Sequence, residues 1–89
     1  MIDTSHRYKK NEQILYRVLK DGPVLIDPYR RTMMTLNPTA LEIWELVDGE
    51  RSVFGVIEAV RERYDAEGAG LTNDTIALLG ELEKREMIY

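Results

Sequence analysis

The sequence predicts an α+β domain in which a three-stranded antiparallel sheet is followed by three helices. Three observations predict it. Alternating strand-like residues fill the stretch up to Leu36, turn chemistry at Asp21-Gly22 and Asp27-Pro28 divides that stretch in three, and beyond Asn37-Pro38 the apolar residues recur at helical spacing.

The first strand begins near Gln13, where Ile14, Tyr16 and Val18 alternate with Leu15, Arg17 and Leu19. Asp21-Gly22 is a hairpin signal, and Pro23 after it suits a strand start or an edge. Val24-Leu25-Ile26 reads as a short buried second strand. In Asp27-Pro28-Tyr29-Arg30 the proline presets the backbone for a turn. The third strand is Arg31 to Leu36, with Thr32, Met34 and Leu36 on one face and Met33 and Thr35 on the other.

Asn37 can cap a helix with its side-chain oxygen, and Pro38 suits the first helical position, where no amide donor is needed. Ala40, Ile43, Trp44 and Val47 share one face of this helix, and Asp48-Gly49 stops it. Ser52 caps the second helix, which carries Val53, Val56, Ile57, Val60 and Tyr64 on one stripe and is weakened slightly by Gly55. Asp65 to Gly70 reads as a flexible connection. The third helix runs from about Thr72 or Asn73 to Glu86, with a stripe of Ile76, Leu78, Leu79 and Leu82. Asp74 favours its positive start and Lys84 with Arg85 its negative end. Residues 1–12 read as a flexible amino-terminal tail and 13–89 as the folded domain, closed by the apolar Met87-Ile88-Tyr89.

Composition limits what such a chain can do. At 89 residues it builds one modest core, burying roughly 60–65% of its extended-chain surface. Hydrophobic residues at 44% and charged residues at 31% are ordinary for a globular protein. No apolar run approaches the ~20 residues of a membrane helix, and no signal-peptide pattern opens the chain, so it is expected to be cytoplasmic. Having no cysteine, it has no disulfide, thiolate ligand or thiol nucleophile, and a single histidine, His6, cannot assemble a zinc site. Neither a catalytic motif nor a cofactor loop is present, so neither catalysis nor a bound cofactor or metal is expected. The carboxylates Glu58 and Glu62, or Glu81 and Glu83, read as solvated helical charge rather than an acid–base pair.

A compact sheet with three helices is similar to winged helix-turn-helix DNA binders, whose third helix would be the reader. Here that helix offers Ala77, Gly80, Glu81, Glu83 and Lys84, and the net charge is −4 with a pI near 5.0. That surface is poor in phosphate-binding groups, so nucleic acid is not the expected partner and a DNA-binding regulator is the alternative reading. The edge of the third strand is the better candidate. Arg31-Thr32-Met33-Met34-Thr35-Leu36 carries neither of the lysine or proline residues that usually blunt an edge, so an extended peptide could add to it as a fourth strand. An open edge also permits two copies to pair as a homodimer. Met33 and Met34 suit adaptable apolar contact, although Met34, on the Leu36 face, also reads as core filling. Trp44 reads as a core anchor, and Tyr29 as an exposed turn residue. Arg30 and Arg31 could pair with acidic residues of the peptide, at roughly 0–1 kcal/mol per exposed pair.

From Ile14 to Ile88 the chain resembles the PqqD family (coenzyme PQQ synthesis protein D), whose domain is also called the RiPP recognition element. The resemblance rests on Asp27-Pro28, Leu36-Asn37, Ile43-Trp44, Asp48-Gly49, Ile57, Arg63-Tyr64-Asp65, and Asp74 ahead of Leu79 and Leu82, in that order. It implies a non-catalytic chaperone that holds the leader of a ribosomally made precursor peptide. Such a chaperone presents the peptide to a radical-SAM/SPASM-type modifying enzyme or a leader peptidase. In such domains the leader lies along the third strand against the third helix. Carried over, the groove is formed by Arg31, Thr32, Met33, Met34 and Thr35, with Ile76, Leu79 and Glu83 from the helix; which helical face meets the groove is left open. One departure stands out. Glu86 occupies a position where the family usually has glycine, so the last turn is expected to fray or to continue as helix, with Met87-Ile88 less firmly docked.

Overall fold

In the computed structural model, which describes residues 2–64 and 69–89, β1 (Leu15–Leu19), β2 (Gly22–Asp27) and β3 (Thr32–Thr35) form an antiparallel sheet in the order β1-β2-β3. The helices α1 (Pro38–Leu46), α2 (Val53–Tyr64) and α3 (Ala69–Lys84) follow. Gly22 lies opposite Leu19 at a φ of 116°, a left-handed-side angle that glycine adopts without strain, and it turns the chain into β2. The second connection holds Arg31 at a φ of 57° and is pinned by the buried Asp27. One carboxylate oxygen of Asp27 accepts the amides of Tyr29 at 3.0 Å and Arg30 at 3.1 Å.

The expected caps form. Asn37 Oδ1 accepts the Ala40 amide at 2.7 Å, and Ser52 Oγ accepts the Gly55 amide at 3.1 Å. Ala40, Ile43 and Trp44 are buried along α1, with Val47 buried just beyond its end. Val53, Val56, Ile57 and Val60 are buried along α2, whereas Tyr64, expected on that stripe, is exposed and its hydroxyl lies 3.4 Å from Thr39 Oγ1. These side chains share one core with Leu25, Leu36, Leu79 and Leu82.

Helix α3 begins three to four residues earlier than expected, so Asp74 sits in its second turn rather than at its positive end. Gly70 lowers helix propensity by about 1 kcal/mol, which the packing of Leu71 against the core can offset. The connection expected over Asp65–Gly70 falls on residues 65–68, outside the described residues, while Ala69 and Gly70 are already helical. Thr75 is fully buried within α3 because its hydroxyl bonds back to the Leu71 carbonyl at 2.8 Å.

Two expectations are corrected. The end of α3 neither frays nor continues: Glu86 itself adopts the left-handed conformation, at a φ of 58°. Its amide donates to the Glu83 carbonyl at 2.9 Å, and the Met87 amide donates to the Leu82 carbonyl at 2.9 Å. This pair of bonds is the Schellman closure that glycine usually supplies, and it turns Met87 and Ile88 fully into the core.

The second correction concerns residues 1–12. They are not loose over their described part, because backbone bonds stitch them to the C-terminal residues, to the start of α2 and, through the Gly49 amide and the Tyr8 carbonyl, to the turn after α1. Lys9 and Tyr89 exchange bonds of 2.8 and 2.9 Å around the Lys10–Ile88 pair, and the Asn11 amide reaches the Met87 carbonyl. The carbonyls of Thr4 and His6 accept the Phe54 and Val53 amides, satisfying first-turn donors of α2 that have no partner inside the helix. Tyr8 is buried in the core, and the Lys10 ammonium lies 5.2 Å from the centre of the Trp44 ring. Without side-chain periodicity, such non-local backbone pairing leaves no trace in the sequence.

Candidate functional site

The hydrogen-bond parity of the sheet identifies which backbone groups are free. In an antiparallel pair, alternate residues turn both N–H and C=O toward the partner strand. The Leu36 amide donates to the Pro23 carbonyl at 3.0 Å, and the pairs Leu25–Met34 and Asp27–Thr32 follow at steps of two. Thr32, Met34 and Leu36 therefore bond to β2, and Met33 and Thr35 turn their N–H and C=O to the open side. Among the described residues, no hydrogen bond outside the sheet ladder reaches either one. The same parity turns the proline nitrogen of Pro23 toward the end of β3, so β1 loses no ladder bond.

The opposite edge differs. On β1 the outward residues are Tyr16 and Val18, and the Arg17 guanidinium donates to the Tyr16 carbonyl at 2.7 Å. One edge is capped by its own side chain, and the β3 edge is not.

Beside β3 the surface of α3 forms two clefts. A cleft of about 320 Å³ lies between Arg30 and Thr32 on one side and Glu81, Lys84 and Arg85 on the other. A second, of about 430 Å³, lies where β3 runs into α1, bordered by Asn37, Ala40 and Ile43 and by Leu71, Asp74 and Leu78. At 3.6 residues per turn, Leu71, Asp74, Leu78, Glu81 and Arg85 form one stripe. The two clefts thus share one face of α3: the first lies between that face and the start of β3, the second between it and α1, just past the end of β3. A larger hollow of about 500 Å³ lies between Lys9, the turn at Asp48–Glu50 and Tyr89, and none of its lining residues belongs to the sheet.

The first cleft is rich in cations. Arg30 is held by Glu86, with Asp27 Oδ2 3.8 Å from its Nε. Arg85 Nε donates to Glu81 Oε1 at 2.8 Å, and that hydrogen bond holds the Glu81 carboxyl below the usual carboxylate range. Lys84 has no ion-pair partner among the described residues, nor has Arg31 in the adjoining turn. In a chain of net charge −4, this is a local excess of positive charge.

The strand residues expected at the site fall on or beside the free edge. Thr32 borders the first cleft, Met34 is half-buried against the core, and Arg31, Met33 and Thr35 are exposed. The side chain of Met33 points to the solvent face of the sheet, in a row with Ile26 and Leu15.

The three helical residues expected at the site do not line the two clefts. Leu79 has no exposed surface and belongs to the core. Ile76 and Glu83 lie on the flank of α3 away from β3, and the amino-terminal segment occupies that flank. A methyl group at Gly80 would meet Ile2 at 3.7 Å, and Glu83 is near enough to the Tyr8 phenol to help raise its pKa. The groove instead takes Leu71, Asp74, Leu78, Glu81, Lys84 and Arg85. The missing signal was Thr75: once it is placed in the core, the buried stripe is Thr75, Leu79 and Leu82, and the groove stripe is the one beside it.

Comparison with known proteins places these features in a family. The family model for coenzyme PQQ synthesis protein D matches residues 23–88. A PqqA binding protein of Pseudomonas aeruginosa is 33% identical over 78 residues, covering 88% of this chain and 82% of that one. One from Pseudomonas paraeruginosa is 41% identical over the same length and shares, and one from Klebsiella pneumoniae is 32% identical over 72 residues, covering 81% of this chain and 75% of that one. Among solved structures, a lasso peptide synthetase B1 complexed with the leader peptide superposes with a TM-score of 0.78 at 23% identity, covering 94% of this chain and 99% of that one. TbiB1 in complex with the TbiA(beta) leader peptide gives 0.74 at 19% identity, covering 90% and 93%. At these identities the two structures speak for the fold.

Proposed function

The chain belongs to the PqqD family, that of coenzyme PQQ synthesis protein D, and on that footing we propose that it is a non-catalytic, cytoplasmic peptide chaperone. It binds the leader segment of a ribosomally synthesised precursor by strand addition. It then presents that peptide to a modifying enzyme of the radical-SAM/SPASM type or to a leader peptidase. The observation that carries this reading is the free backbone of Met33 and Thr35, facing a groove walled by α3. The relatives, PqqA binding proteins, support it from outside the chain.

The energetics favour a site made of edge and groove together. Backbone bonds to Met33 and Thr35 contribute about 0.5–1.5 kcal/mol each. Ordering a flexible peptide costs roughly 1–2 kcal/mol per residue. Strand pairing alone therefore binds weakly, and side chains seated in the two clefts must supply the remainder and the selectivity. A site of this kind holds a peptide without altering it, as a carrier must.

The test is an NMR titration of the full chain with a short precursor peptide, sought first among the open reading frames beside its gene. Amide shifts along β3 and along Leu71, Leu78, Glu81 and Arg85 are expected. Shifts confined to the β1 edge, or to the flank around Tyr8 and Glu83, would contradict the assignment.

A further inference from the structure

The two clefts along this face of α3 differ in chemistry, one beside the start of β3 and the other beside the start of α1. The one beside Thr32 is walled by Arg30, Lys84 and Arg85, with Lys84 free of any ion-pair partner among the described residues. Glu86 and Glu81 hold the two arginines in place. The other cleft is bordered by Ala40, Ile43, Leu71 and Leu78, with Asn37, Thr39 and Asp74 at its margin, and carries no cation. Residues Arg31 and Glu86, both non-glycine and both left-handed, flank the cationic end, where the Arg30–Glu86 pair clamps the turn to the helix. Left-handed strain of this kind persists only where the surroundings enforce it.

Resting on the peptide-docking reading, we propose that the groove selects a two-part pattern. An acidic side chain meets Lys84 and Arg30 beside Thr32, and an apolar side chain fills the cleft between α1 and α3. Both clefts open on the α3 side of the sheet, and side chains of an extended strand return to the same side at every second residue. The chain touches the first cleft at Thr32 and the second at Asn37, so at about 3.3 Å per residue a peptide lying alongside sets the two same-side side chains about four or six positions apart. The partner is thus an acidic-apolar extended segment, and the cation that reads its charge is Lys84.

The probe is a display library of random twelve-residue peptides, selected on the full chain and on the Lys84→Glu variant. On the wild-type chain, selected peptides should carry Asp or Glu in one column and Leu, Ile, Val, Met or Phe about four or six positions away. On Lys84→Glu, the acidic column should turn to Lys or Arg. Acidic peptides should bind that variant about fivefold or more weakly, by fluorescence anisotropy, with the difference fading at high salt. Lys84→Ala should lose the acidic column without reversing it, and both variants should keep the wild-type circular dichroism because Lys84 is exposed.

Peptides that bind and slow exchange at Met33 and Thr35, yet show no acidic column or keep it unchanged on Lys84→Glu, overturn the charge selection alone. A library yielding no peptide that slows those two amides overturns the docking reading, and the selection with it.

Discussion

The carboxylate of Glu86 meets the guanidinium of Arg30, joining the end of α3 to the turn between β2 and β3. The contact depends on the left-handed backbone of Glu86, which also aims Met87 and Ile88 into the core. A side chain in that conformation costs roughly 1–2 kcal/mol, and the exposed ion pair returns about 0–1 kcal/mol. Replacements at this position separate the two effects. Glu86→Gly relieves the strain, and Glu86→Ala keeps it while losing the pair. Urea unfolding should find E86G more stable than E86A by about 1 kcal/mol; equal stabilities would mean that the left-handed turn is not enforced.

Tyr8 supplies a test in the alkaline range. Burial, then the charge of Glu83 and a hydrogen bond to it, push its phenol from 10.0 up to about 12. A group that holds its proton more tightly when folded contributes stability below its unfolded pKa and loses it as pH rises through the folded one. Stability should therefore decline between about pH 10 and 12 in the wild-type chain. In Tyr8→Phe that decline should flatten, as followed by thermal unfolding across the range. An identical slope in both proteins would place the phenol in solvent.

Leu79 and Leu78 are neighbours in sequence with opposite consequences. Leu79→Ala empties a fully buried site and should cost about 2–5 kcal/mol, enough to unfold much of a domain this small. Leu78, half-buried at the groove, should tolerate alanine at a smaller cost, about 1 kcal/mol, while weakening peptide binding. Circular dichroism melts with anisotropy measurements distinguish the two; a folded, non-binding Leu79→Ala would return that residue to the groove.

Proline substitutions read the parity of β3 directly. Met33→Pro removes an N–H that faces the open side and breaks no bond to β2, so the fold should persist while peptide binding falls. Met34→Pro removes a ladder donor, leaves the Leu25 carbonyl without its partner and should destabilise by about 1–3 kcal/mol. If the Met33 variant unfolds and the Met34 variant does not, the register is shifted by one.

Local chemistry was legible in the sequence. Asn37-Pro38 and Ser52 mark helix starts through side chains that bond to nearby amides, and the alternation up to Leu36 gives the strands. The β3 edge was legible too, because strand order follows from short hairpins. Long-range backbone bonding was not. Tyr8 and Lys10 dock through carbonyls and amides that every residue carries, and the resulting occupancy of one α3 flank decides which flank is left for a ligand. Glu86 misled for a related reason: the sequence shows an unfavourable residue for a left-handed turn, and only the buried Met87-Ile88 pair and Arg30 reveal why the turn forms anyway.

Hydrogen exchange at single amides of β3, with and without a bound peptide, tests the central claim most directly. Met34 bonds to β2 already and should exchange slowly in both states, whereas Met33 and Thr35 should exchange fast in the free chain and slow sharply when a fourth strand pairs with them. Unchanged exchange at Met33 and Thr35 in a saturated complex would contradict strand addition on this edge.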